Sequence, residues 1–263
     1  MNFFECENVL PYGNSEENKQ RQVARMFDAI SGRYDLFNRL MSFGIDRRWR
    51  RKALKDLKFQ ISDFRFSAST NLKSEILESE TVLLDVATGT GDFAIEAYKT
   101  LKPQKIIGVD ISEGMLKIGR EKIQKLNLPI IFEQQDGEHL NFENETFDIV
   151  TIAFGIRNFE QLAAGLREMN RVLKPGGKLA ILELSEPGKF PARQGYLFYS
   201  RVLIPALGRF FSKDKQAYAY LPESIKSFPK KEEMTELLKN CGFSCVEMKT
   251  FTFGACSFYL ATK

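Results

Sequence analysis

The chain has 263 residues, 43% of them hydrophobic and 27% charged, enough for one substantial core and too apolar for a disordered protein. A net charge of +4 gives little reason to expect nucleic acid as a partner, and four cysteines with one histidine fall short of an ordinary structural zinc site, because Cys6 lies in a polar tail. The first 20 residues lack a basic start followed by an apolar stretch, and no later run reaches the roughly 18 to 20 apolar residues that span a bilayer, so a cytoplasmic protein with reduced thiols is expected.

Residues 1–20 read as a flexible tail. Residues 21–57 read as a helical cap: Val23, Met26, Phe27 and Ile30 fall at helical spacing, Gly32 breaks the pattern, Leu36, Phe37, Leu40 and Met41 resume it before Gly44, and a further helix carries Trp49, Ala53, Leu54 and Leu57. Residues 58–80 turn polar and aperiodic and read as a loop. From residue 81 strands and helices alternate: TVLLDVA, DFAIEAYKTL, KIIGVDI, EGMLKIGREKIQKL, PIIFEQQD, FDIVTIAF, NFEQLAAGLREMNRVL and GKLAILELS. That alternation predicts an α/β fold with a doubly wound, mostly parallel sheet whose ligands sit beyond the carboxyl ends of its strands. A mostly helical insertion covers about 190–221, EEMTELLKN is a last helix, and SCVEMKTF with CSFYLAT close the chain as a hairpin.

The stretch LLDVATGTGDFAI (83–95) runs from a strand through small residues into a helix, which lets a nucleotide-like ligand lie against bare backbone. Gly89, Thr90 and Gly91 form the turn, and Asp110, followed by Ile111, stands at the end of the next strand, where a carboxylate can accept both hydroxyls of an adenosine ribose. By spacing alone this is also a dinucleotide fingerprint. Asp92 favours another ligand, since an acid at a helix N-terminus repels a pyrophosphate, whereas S-adenosylmethionine brings an ammonium and a sulfonium that Asp85 and Asp92 would attract. Asp136 ends the third strand, where it could accept the adenine amino group, with Gly137 leaving room for the ring.

The segments YDLFNRLMSFGIDRRW (34–49), DVATGTGD (85–92), AFGIRNF (153–159), RVLKPGGKLAILELS (171–185) and YLPESIKSFP (220–229) resemble the ubiquinone/menaquinone biosynthesis C-methyltransferases, which methylate the ring of a polyprenylated quinol. The resemblance runs from about residue 20 to the C-terminus, apart from the 58–80 stretch. It implies a Rossmann-like class I methyltransferase fold of seven strands with an antiparallel last strand over residues 81–263. It also implies S-adenosylmethionine as cofactor, held by Asp85, Gly89, Thr90, Gly91, Asp110, Ile111, Asp136 and Gly137. Ala153 stands where relatives can carry a serine that helps hold the cofactor, and Asp46 replaces a histidine common in the first signature.

Methylating a ring carbon needs a ring made electron-rich by loss of a hydroxyl proton and held in line with the methyl group. Arg157, always charged, can stabilise a developing phenolate or orient a water; Asn158 could hold a ring oxygen, and Tyr34 could close the site. His139 reads as a surface residue and Trp49 as core. RRWRR (47–51) reads as a solvated helix face, with anionic lipid as the sharper alternative. The insertion reads as a lid that shelters the ring and passes the prenyl tail towards a bilayer, or else as a buried cap. The turn and Asp46 are nearer to menaquinone-type members, implying conversion of demethylmenaquinol to menaquinol. A benzoquinol of ubiquinone biosynthesis is the alternative, with an NAD-dependent dehydrogenase and a non-catalytic quinone-binding protein further off. The expected partner is the quinol, without metal or nucleic acid; peripheral membrane contact and homo-oligomerisation are left open.

Overall fold

Seven strands, β1 (Val82–Val86), β2 (Lys105–Asp110), β3 (Ile130–Gln134), β4 (Phe147–Ala153), β5 (Leu173–Leu184), β6 (Ser244–Phe251) and β7 (Cys256–Thr262), pair into one sheet in the order β3-β2-β1-β4-β5-β7-β6. All neighbours are parallel except β7, which runs antiparallel to both β5 and β6. The computed structural model describes residues 4–13, 15–68, 81–199 and 215–263. The expected class I methyltransferase architecture is therefore present, with its antiparallel last strand.

Strands covered on both faces read as unbroken apolar runs, and the side chains of β1 show why. Leu83 belongs to a core cluster with Ala53, Leu54 and Leu57 of α3 (Ile45–Ala68) and Phe93 and Ile95 of α4 (Asp92–Leu101). Leu84 and Val86 belong to another, with Leu162, Leu166 and Met169 of α6 (Leu162–Val172) and Met234 and Leu238 of α9 (Lys231–Asn240). The chain leaves β1 for β2 on one side and, after β3, returns to β4 on the other, so a crevice opens at the carboxyl ends of β1 and β4.

The N-terminal region departs from expectation in three places. Residues near the start do not form a tail: α1 (Glu5–Asn8) seats Cys6 in the core, and the Glu7 carboxylate accepts the Leu162 N–H at 2.8 Å, capping α6 from 155 residues away. Gly32 does not break the cap; α2 (Lys19–Ser42) is continuous through it, held to α5 (Glu113–Lys125) where Asp28 accepts the Ser112 hydroxyl at 2.6 Å and the Gly114 N–H at 2.9 Å. Finally, α3 continues through residues 58–68, where a loop was expected; 69–80 lie outside the described residues. Of the expected insertion, α7 (Ala192–Phe198) and α8 (Lys215–Lys226) are helical as read, and 200–214 lie outside the described residues.

Candidate active site

Two adjoining cavities occupy the carboxyl ends of β1, β2 and β4. The first is lined by Asp85, Gly89, Thr90, Asp110, Ile111, Asp136 and Gly137, all the expected cofactor residues except Gly91. Gly91 stands behind the turn: its φ is +81°, and a Cβ there would lie 2.5 Å from Phe132 Cζ. Cβ atoms on Gly108 and Gly119 would also strike the Phe132 ring, at 2.7 and 2.9 Å. The motif glycine thus lets the turn and α5 close on one aromatic side chain that sequence reasoning missed.

Asp110 points both oxygens into the crevice edge, where Oδ2 accepts the Gly89 N–H at 2.7 Å and Oδ1 the Ser112 N–H at 2.9 Å. A carboxylate has about four acceptor sites, so acceptor capacity remains for a diol. Burial pushes its carboxyl up to about 6 against those two hydrogen bonds. Asp85 is raised to about 6 by burial as well, although the Thr151 and Thr88 hydroxyls each donate to it at 2.6 Å. Asp85 therefore braces the turn, rather than offering an open anionic site.

Asp92 does not wait for a cationic ligand either. Against the effect of burial, Lys122 at 2.7 Å and Arg50 at 3.6 Å hold its carboxyl below the usual range. The Thr90 hydroxyl is similarly engaged, donating to Asp35 at 2.7 Å and accepting from Lys122 at 2.9 Å. Asp136 accepts the Glu138 N–H and pairs with His139, whose exposed ring is raised by that hydrogen bond and sits at the surface as read. The space beside Gly137 is taken by protein: a Cβ would meet Phe159 Cζ at 2.7 Å and Val86 Cγ1 at 2.9 Å.

The second cavity, of about 440 Å³, is largely apolar, and Tyr34, Arg157 and Asn158 all line it. Phe27, Tyr34, Arg50, Phe154 and Asn158 border both cavities, so the expected catalytic residues stand at or beside the junction. Burial raises the Tyr34 phenol, which keeps it protonated and able to donate. Asn158 Oδ1 accepts the Tyr220 hydroxyl at 3.1 Å, leaving its amide hydrogens as the donors it offers a ring oxygen. Arg157 Nη1 donates to Glu183 Oε1 at 2.6 Å and to the Phe154 carbonyl at 2.5 Å, while Nε is buried without a partner among the described residues.

Glu183 was missed, although a lone charge within LAILEL signals a buried partner elsewhere. Fully buried, it neutralises Arg157 and also accepts the Leu184 N–H at 2.8 Å. The RRWRR segment divides by helical geometry: Arg47, Arg48 and Arg51 are exposed, Arg50 turns inward, and Trp49, half-buried, donates from Nε1 to Thr252 Oγ1 at 2.8 Å. Asp46 accepts Arg50 Nη1 at 2.6 Å and the Ser42 hydroxyl at 2.6 Å, so its role is to hold Arg50.

The model of the ubiE/COQ5 methyltransferase family matches residues 15–263. The chain belongs to that family. It is therefore a methyltransferase that uses S-adenosylmethionine, and the dehydrogenase alternative falls away. Among relatives of this ubiE/COQ5 chain, the demethylmenaquinone methyltransferase of Bacteroides fragilis is 48% identical over 259 residues, covering 98% of each chain. The ubiquinone/menaquinone biosynthesis C-methyltransferase of Geobacter sulfurreducens is 41% identical, covering 99% of this chain and 96% of the relative. In fold, the chain is similar to a solved S-adenosylmethionine-dependent methyltransferase of Thermotoga maritima, described as a possible histamine N-methyltransferase. The TM-score is 0.60 at 21% identity, over 91% of this chain and 99% of that one.

The crevice suits this cofactor in three observed respects: acceptor capacity on Asp110 for ribose, a glycine turn that brings backbone close, and one basic side chain, Arg50, among its described lining residues.

Proposed function

We propose that the ubiE/COQ5 chain methylates a ring carbon of a polyprenylated demethylmenaquinol, giving menaquinol. The observation that carries this reading is the junction of an acid-bearing crevice with a larger apolar cavity, at or beside which Tyr34, Arg157 and Asn158 stand. The names of the relatives support the naphthoquinol substrate. When bound, S-adenosylmethionine would supply the methyl group from its sulfonium and leave as S-adenosylhomocysteine; the ring carbon that takes the methyl releases one proton to solvent, and the ring oxygen regains its own.

The protein's part is electrostatic and positional. Arg157 stabilises negative charge on a ring oxygen as its proton leaves, through donors held in a buried, water-poor wall. Because Glu183 compensates that charge at rest, the cavity also admits a neutral quinol. Asn158 orients the ring through an oxygen, and Tyr34 donates from α2 across the junction. Tyr199, whose hydroxyl donates to the Met41 carbonyl at 2.5 Å, ties the residues after α7 to α2 over the apolar side.

Among the described residues no helix is long and apolar enough to cross a membrane. Phe43 and Phe253, both largely exposed, line the apolar cavity. This rim is where we place contact with the inner face of the membrane, from which a prenylated substrate is drawn.

Labelled S-adenosylmethionine offered with demethyl naphthoquinol and demethyl benzoquinol tests the substrate: transfer to the first should dominate, and transfer to the benzoquinol alone would overturn that choice. Arg157→Ala should lower turnover by about 100- to 1000-fold while S-adenosylhomocysteine affinity stays within about twofold. An equal loss in both would refute the assigned role.

A further inference from the structure

The crevice is lined with acids: Asp85, Asp92, Asp110, Asp136 and Glu138. The cofactor nevertheless carries a carboxylate at its methionine end, which such a wall repels unless a cation receives it. Among the described lining residues Arg50 is the only lysine or arginine. It is 8% exposed, and α3 carries it inward while the neighbouring Arg48 and Arg51 face solvent.

Its hydrogen bonding is incomplete. Nη1 reaches Asp46 Oδ2 at 2.6 Å and lies 3.6 Å from Asp92 Oδ2, the guanidinium carbon stands 5.5 Å from the centroid of the Phe154 ring, and buried Nε meets no acceptor among the described residues. Nε itself has almost no exposed surface, so a ligand anion in the crevice is met by the part of Arg50 that lines it. The guanidinium fork suits this use, because one nitrogen can stay on Asp46 while others serve a carboxylate.

We propose that Arg50 is the binding residue for the carboxylate of the cofactor's methionine end, with Asp46 as its positioning residue. The proposal rests on the crevice being the cofactor site. It also gives Asp46 a purpose independent of the reacting groups: Ser42, at the end of α2, fixes Asp46, which fixes Arg50.

Calorimetric titration with S-adenosylmethionine and with its decarboxylated analogue isolates the contact. Wild-type protein should prefer the carboxylated ligand by about 10- to 100-fold. Arg50→Gln should abolish most of that preference while binding the decarboxylated analogue within about twofold of wild type, which also shows that the fold and the adenosine grip survive. Arg50→Lys should retain an intermediate preference. Asp110→Asn serves as the control, weakening both ligands alike. If Asp110→Asn affects neither ligand, the crevice is not the cofactor site and the proposal falls with that reading. Should Asp110→Asn weaken both while Arg50→Gln leaves the preference intact or weakens both ligands equally, the crevice stands and Arg50 is not the carboxylate site.

Discussion

Asp110 shapes the turn and, in the proposed reading, also grips the cofactor. Its oxygens already hold the Gly89 and Ser112 N–H groups, and only the ionised form can also accept from both ribose hydroxyls. With its carboxyl pushed up to about 6 by burial, affinity for S-adenosylhomocysteine should be level above pH 7 and fall about tenfold per unit below about 6. Calorimetry from pH 5 to 8 checks this; a level profile throughout would count against it. The stability slope of the ligand-free protein has the opposite sign. A carboxyl raised above its ordinary value binds more protons folded than unfolded between about pH 4 and 6, so its contribution declines as pH rises through that window. Asp85, also raised to about 6, acts in the same direction.

At the scale of elements, α6 begins without a side-chain cap of its own, and the acceptor for its first N–H is Glu7 on α1. Lys19, at the start of α2, likewise donates to the Cys6 and Arg157 carbonyls, so the first two helices buttress the 3-10 turn at Ile156–Asn158 that carries the expected catalytic pair. Glu7→Ala should therefore cost about 0.5 to 2 kcal/mol, the range of a lost N-cap, while Glu7→Gln, which keeps an acceptor, should recover most of it. Urea denaturation of both variants measures the difference, and equal midpoints for Ala and wild type would remove the cap from the account.

The same contacts explain what was legible. The alternating strands and helices of residues 81–185 follow from apolar periodicity, because strands buried on both faces cannot hide their composition. The glycine turn with Asp110 was legible because few residue types suit that backbone. The N-terminal segment was not, since its polar side chains find partners 138 to 155 residues away, beyond any local pattern. Arg50 was hidden for a related reason: within RRWRR one side chain turns inward, and composition alone does not select which.

For the molecule as a whole, the question is how an apolar substrate reaches a cavity in a chain with only +4 net charge. The rim offers a physical signature. Phe43 and Phe253 are 77% and 86% exposed, and both hold left-handed backbone, with φ of +49° and +56°. That conformation costs a bulky residue about 1 to 2 kcal/mol relative to the usual regions, and glycine would adopt it freely, particularly at Phe43, the C-cap of α2. Aromatic side chains in positions that the backbone would rather give to glycine gain nothing in stability from water, but would gain from insertion among lipid headgroups. The double substitution Phe43→Gly and Phe253→Gly should therefore raise the melting temperature by about 2 to 8 °C, once the extra unfolded-state entropy of two glycines is set against the relieved strain, and reduce flotation with anionic liposomes several-fold. Opposite movements of stability and flotation would assign these rings to the membrane surface. Flotation equal to wild type, or a fall in both quantities, would place the rings in the fold's own packing and move the substrate's entrance elsewhere.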